Sequence, residues 1–232
     1  MRRLEWIVRE GDPAPGLPRT LRSDRLKVDW AGSRCFLGLD GRTIAAWNPG
    51  AASVSATMPS SRRAAWLRVL RWLMARSDNE LRGGATLHAS AVSMGGTAVV
   101  FCGPSGVGKT TLVGFAGSRS RLCDEFCDIV REAKGKFHLA RTGRSQASRP
   151  RTIPIAAILF PERGSEPRLV PLGRAEAATR ILGTRYPGLW HERFPSKALE
   201  FSAALCRSVP VFAFSFPQNP AVMAWLKRNL RP

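Results

Sequence analysis

The chain has 232 residues, 44% of them hydrophobic, and a formal net charge of +19. That length suffices for one good core, or for one core plus a small appended unit. A membrane-spanning helix is excluded: the longest apolar run, Ile153 to Phe160, is too short to cross a bilayer and contains Pro154. Met1-Arg2-Arg3-Leu4-Glu5-Trp6 lacks the apolar run of a signal peptide. The charge favours acidic partners such as a nucleotide, a nucleic acid or an acidic peptide, although arginine drift along the chain would give the same balance. The cysteines are Cys35, Cys102, Cys123, Cys127 and Cys206, an odd number without metal-ligand spacing. They fit a reduced, cytoplasmic setting, with Cys123 and Cys127 read as two small buried residues rather than a metal or redox pair.

In chain order, residues 1–22 carry Pro13, Pro15, Gly16 and Pro18 and read as loop or edge. Leu26 to Trp30 alternates as a half-buried strand does. Arg34 to Leu39 and Arg42 to Trp47 follow as strands around an Asp40-Gly41 hairpin turn. Ser61 to Arg76 has the apolar spacing of a helix. Residues 1–84 thus read as a small β-rich unit with one helix, and 85–232 as the main core. Leu87 to Ser93 is a strand that turns at Gly95-Gly96 into Thr97 to Phe101, a short buried strand.

Next comes Gly103-Pro104-Ser105-Gly106-Val107-Gly108-Lys109-Thr110, which fits the phosphate-binding loop pattern of Gly, four residues, then Gly-Lys-Thr. Its glycines leave backbone N–H groups free to wrap phosphate oxygens. Lys109 reaches the β- and γ-phosphates in such loops, and the Thr110 hydroxyl sits on Mg²⁺. Thr111 opens the helix that follows, whose N-terminus adds partial positive charge. One short helix later, Asp124 and Glu125 lie side by side, with Asp128 beyond. One carboxylate can hold Mg²⁺ and another can take the proton of a substrate hydroxyl. His88 lies on the strand beside the loop strand.

Arg141 to Arg151 is a polar basic stretch that reads as a surface loop, able to hold a phosphate or an acidic substrate. Ile153 to Phe160 is a buried strand; Pro161 follows it, and no acid closes it. Arg168 to Leu172 is a short strand, Gly173 to Leu182 a helix and Tyr186-Pro187-Gly188 a turn. Ala198 to Arg207 is an amphipathic helix, Val211 to Phe216 the final strand and Ala221 to Leu230 the last helix.

The run Leu87 to Val92, the phosphate loop and Arg121-Leu122-Cys123-Asp124-Glu125 together resemble the nucleotide core of the HPr serine kinase/phosphorylase family. The resemblance covers roughly residues 85 to 228. It implies an α/β fold with a mixed sheet, shared with phosphoenolpyruvate carboxykinases, using ATP and Mg²⁺. It implies a triphosphate cradle at Gly103 to Thr111 with Lys109, and a Mg²⁺ ligand at Thr110. Asp124 becomes the acid that activates the acceptor hydroxyl and lies within reach of the metal, with Glu125 near the metal and His88 near the transferred phosphate. Small relatives serve peptide-modification gene clusters, so the implied acceptor is a Ser of a peptide or small protein. Glu125 stands where the family usually has a second Asp, and the family's Gly-Thr-Pro-aromatic turn is absent near Gly143. The phosphorylase signature is not evident, so phosphoryl transfer without reverse phosphorolysis is expected.

Two other readings share these residues. One is a phosphate-loop kinase acting on a small molecule. The other is a nucleotide-binding regulator or ATPase on nucleic acid, motivated by the charge; no recognition helix or RNA-binding aromatic motif supports it. No membrane partner is expected, and a homo-oligomer is compatible with the same residues.

Overall fold

The computed structural model of the protein describes residues 5–10, 26–31, 34–39, 42–47, 53–58, 76, 79–132, 135–140, 152–185 and 195–230. The chain divides into two units, Met1–Asp78 and Asn79–Pro232. The helix expected over 61–76, the basic stretch 141–151 and the turn at 186–188 lie outside the described residues, Arg76 excepted.

The first unit contains a sheet of β1 (Glu5–Glu10), β2 (Leu26–Ala31), β3 (Arg34–Leu39), β4 (Arg42–Trp47) and β5 (Ser53–Met58), in the order β1-β5-β4-β3-β2. Strands β2 to β5 form an antiparallel meander, and β1 joins β5 in parallel at the edge. Strand β5 was not expected from the sequence, and β1 forms within a stretch read as loop or edge. Ser53-Val54-Ser55-Ala56-Thr57-Met58 does alternate polar and apolar residues, but it is short and polar enough to pass for loop.

The second unit is mixed α/β. Its described residues form an eight-stranded, mostly antiparallel sheet. The strands are β6 (Ala85–Met94), β7 (Thr97–Cys102), β8 (Arg121–Cys123), β9 (Phe126–Arg131), β10 (Phe137–Ala140), β11 (Thr152–Arg163), β12 (Arg168–Pro171) and β13 (Val211–Phe216). Their order is β10-β9-β6-β7-β11-β13-β12, with β8 on β6 and the start of β11 also paired to β10. Only β7–β11 and β11–β13 pair in parallel among these strands.

Besides the helical residues 76 and 79–81, four whole helices are described: α1 (Lys109–Ala116), α2 (Arg174–Thr184), α3 (Pro195–Ser208) and α4 (Ala221–Asn229). They cover both faces of the sheet, and the strand period of two sorts side chains between them. From β7, Ala98, Val100 and Cys102 join Ile181, Phe201 and Leu205 of α2 and α3. Val99 and Phe101 join Leu112 and Val113 of α1 and Val222 and Leu226 of α4. Burial on both faces is why β7 reads as a continuous apolar run and not as an alternating one.

Pro161 does not end β11, which runs on to Arg163. Pairing with β7 stops at Leu159, so from Pro161 onward β13 is the neighbour that β11 retains there. The missing proline N–H therefore falls on an open side, where a strand tolerates it.

Phe214 is fully buried, with its ring stacked 5.7 Å from Phe216 and 6.4 Å from Trp225 of α4. Phe214→Ala is expected to cost about 3–5 kcal/mol, read from the urea midpoint. Leu199→Ala, at a position 58% exposed on α3, should stay within about 0.5 kcal/mol.

Candidate functional site

The carboxyl ends of β7, β11 and β13 point the same way because these strands run in parallel. Ligands of α/β sheets gather at such ends. Beyond β7 the chain turns through Gly103 (φ 145°), Gly106 (φ 84°) and Gly108 (φ 103°) and enters α1 at Lys109. These left-handed positions suit glycine, since an L side chain there crowds the backbone. No side chain caps α1, and its first described backbone bond runs from Leu112 N–H to Gly108 C=O. The preceding amides at the helix start therefore face the loop, an arrangement that attracts anions. Gly108 is also needed for space: a Cβ there would lie 2.6 Å from Cζ of Phe216 at the end of β13.

Lys109 is buried, and its Nζ donates to the carbonyls of Gly103 at 2.7 Å and Pro104 at 2.8 Å. Burial pulls the ammonium below its ordinary pKa, and the Asp124 carboxylate is among the groups that pull it back up. Beneath it, burial pushes the Cys102 thiol up to about 12. Cys102 is thus a neutral packing residue and not a nucleophile.

The opposite wall comes from β6 and the bend between β8 and β9. Residues His88 and Ser90 share one face of β6, while Leu87, Ala89 and Ala91 point into the core between the sheet and helices α2 and α3. Strand β6 pairs with β8 through Ala91 and with β9 through Leu87 and His88, which leaves Asp124 and Glu125 as the bend between. Ser90 Oγ donates to Asp124 Oδ1 at 2.7 Å, and Arg121 Nη2 donates to Oδ2 at 2.5 Å. Thr110 Oγ1 stands 3.5 Å from the same Oδ1. Glu125 has φ 70°, the one left-handed non-glycine among the described residues. Its carbonyl accepts from Ala89 N–H at 3.2 Å.

Cys123 and Cys127 bracket this bend as a disulfide, with Cα atoms 5.9 Å apart. This corrects the expectation of two unpaired buried thiols. Four residues of separation looked uninformative in sequence, but β8 and β9 follow one another along β6, both antiparallel to it, and the bend at Asp124-Glu125 between them brings both side chains together. Cys102 and Cys206 are unpaired among the described residues.

His88, Ser90, Ser105, Gly106, Gly108, Lys109, Thr110, Thr111, Asp124, Glu125 and Arg163 line one cleft of about 190 Å³. That is smaller than a typical small-molecule pocket and suits the tail of a nucleotide better than the whole of one. Three residues of the expected cradle do not line it. Gly103 is buried, Pro104 supplies a carbonyl to Lys109, and a Cβ on Gly103 would touch the Val107 side chain at 3.2 Å. Asp128 lies outside too, accepting from Thr86 Oγ1 at 2.6 Å on β9.

Ser90 and Arg163 were not anticipated. Ser90 is two residues from His88, so the strand period already put it on the same face. Arg163 was hidden by the expectation that Pro161 ends its strand.

The described residues hold no cluster of three or more His, Cys, Asp or Glu with metal-site geometry. A Mg²⁺ ion does not require one, since it is commonly held by one or two protein oxygens together with phosphate and water. The Thr110 hydroxyl and the Asp124 carboxylate facing each other are hard oxygen donors of that kind, so the residues fit the ion.

The family model for SynChlorMet cassette protein ScmC matches residues 55–216 of this chain. No curated protein matches it. Among solved structures, the chain is similar to the Hpr(Ser) kinase/phosphatase from Coxiella burnetii at 15% identity and a TM-score of 0.34. That match covers 62% of this chain and 94% of the other, and a likeness at this level carries no functional argument. No described helix is long and apolar enough to cross a membrane.

Gly106 and Gly108 separate two costs. Gly106→Ala meets nothing within 4 Å and bears only the left-handed backbone, about 1–2 kcal/mol. Gly108→Ala adds the collision with Phe216 and should unfold at lower urea than Gly106→Ala. Equal midpoints would show that the Phe216 contact is soft.

Proposed function

The chain belongs to the family of SynChlorMet cassette protein ScmC, and from its cleft we infer that it is an ATP- and Mg²⁺-dependent kinase with an HPr-kinase-like phosphate-loop core. The γ-phosphoryl group goes to a hydroxyl, that of a Ser on a peptide or small protein. The observation that carries this reading is the Asp124 carboxylate, 3.5 Å from Thr110 at the start of α1, in one cleft with the loop and Lys109.

The loop amides and Lys109 bind the phosphate tail. Thr110, Asp124 and Glu125 would hold Mg²⁺, which when bound neutralises charge on the phosphates. Asp124 also accepts the proton of the acceptor hydroxyl as its oxygen bonds to the γ-phosphorus and the bond to the β,γ-bridging oxygen breaks, releasing ADP. Ser90 and Arg121 orient the carboxylate, and its remaining lone pairs stay available to the hydroxyl. His88, partly buried on β6, donates to or polarises the transferred group from the cleft wall. Such transfer needs little covalent help, so most of the acceleration comes from positioning and charge.

A peptide acceptor agrees with the +19 charge, which draws acidic partners. Incubating the protein with ATP, Mg²⁺ and peptides encoded beside its gene should add one phosphate to Ser, seen by mass spectrometry. Phosphate release without any acceptor would mark an ATPase instead.

Asp124→Asn should lower turnover by about 10²–10⁴-fold while leaving nucleotide binding nearly intact. Lys109→Ala should abolish turnover and weaken binding. Near-normal turnover in Asp124→Asn would remove Asp124 from this role.

A further inference from the structure

Arg163 ends β11 and lines the same cleft as the phosphate loop. Its place is fixed through the sheet: Arg163 pairs in parallel with Phe216, and Phe216 is the ring whose tip Gly108 abuts. The next residue is packed tightly as well. Gly164 N–H donates to Phe216 C=O at 3.1 Å, and a Cβ on Gly164 would lie 1.9 Å from Ser215 Oγ. The backbone that presents Arg163 therefore has little freedom, while its side chain is exposed toward the cleft.

The cations around the cleft are differently engaged. Arg121 is ion-paired to Asp124. Lys109 is turned onto the carbonyls of Gly103 and Pro104. Arg163 makes no ion pair among the described residues. Its neighbour is the neutral amide of Gln218, whose oxygen, once the amide is turned over to satisfy both groups, would accept from both Nη atoms at 3.3 Å. A guanidinium oriented by an amide and not neutralised by a carboxylate keeps its full attraction for an anion. Its planar fork matches the oxygens of a phosphate group.

We propose that Arg163 is the group that reads the terminal phosphate of the nucleotide, distinguishing ATP from ADP across the cleft from Asp124. This rests on the nucleotide-binding part of the function inferred above. The loop amides grip the portion of the tail shared by both nucleotides. Arg163, on the neighbouring parallel strand, meets the phosphate that only ATP carries, and Gln218 is its positioning residue.

Calorimetric titration with MgADP and with the Mg²⁺ complex of a non-hydrolysable imido analogue of ATP tests this without turnover. The native protein should bind the analogue more tightly than ADP. Arg163→Ala should weaken the analogue by about 10- to 100-fold, the scale of a lost charge-assisted hydrogen-bond pair, and leave ADP nearly unchanged. Arg163→Lys should recover only part of the loss, since a point charge cannot reproduce the fork, and Gln218→Ala should show a smaller loss of the same selectivity. Equal weakening of both nucleotides, or no change in either, overturns the assignment. Selectivity lost in Arg163→Ala while the native protein phosphorylates no peptide would retain Arg163 and discard the kinase. Phosphorylation by the native protein with unaltered selectivity in Arg163→Ala would do the reverse, and failure of the native protein to bind either nucleotide would remove both.

Discussion

The cleft depends on how closely Gly108 abuts the tip of the Phe216 ring. At that contact an added Cβ would lie 2.6 Å from Cζ and 3.4 and 3.6 Å from the two Cε atoms, so the backbone abuts the tip of the ring. The contact ties the loop after β7 to the end of β13, two strands away across β11. Behind it, Phe214 and Phe216 are buried against α4, so the ring cannot withdraw without opening the core. The loop thus inherits its position from sheet packing. Arg163 inherits its own from the same residue, because its register partner is Phe216.

The acidic wall is built on a different economy. Glu125 adopts a left-handed backbone that costs a non-glycine residue about 1–2 kcal/mol. The bend persists because it is held on several sides: by the Ala89–Glu125 backbone bond, by Ser90 and Arg121 on Asp124, and by the disulfide across Cys123 and Cys127. Backbone strain of this kind is characteristic of functional sites. The Arg121–Asp124 pair is partly exposed, with side chains 49% and 26% accessible. Its contribution to stability is therefore small, and its effect is chiefly to orient the carboxylate. The buried Ser90 hydroxyl is the stiffer of the two supports.

Where local chemistry decided the outcome, the sequence was legible. The strand, glycine loop and helix from Thr97 to Ala116 could be read directly, because φ preference, apolar burial and helix initiation all act within a few residues there. The Gly95-Gly96 hairpin and strands β2, β3 and β4 were legible for the same reason. Strand β5 was not, and β1 was read no more sharply than loop or edge, since the two strands owe their existence to each other across 48 residues. Strand β10, Phe137–Ala140, is four residues long and is held by β9 and β11; its own composition says little.

What the sequence by itself determined is the chemical inventory: a glycine-rich loop ending in Gly-Lys-Thr, with its lysine and a hydroxyl at the helix start, and a pair of acids a short helix later. Only the tertiary structure decided which of these share a cleft. It brought in Ser90 and Arg163, left Asp128 outside, and joined Cys123 to Cys127. The reason is that strand order and register are long-range quantities. A residue's neighbours along the chain constrain its φ and ψ, but only the pairing of β6, β7, β11 and β13 determines which side chains meet in space.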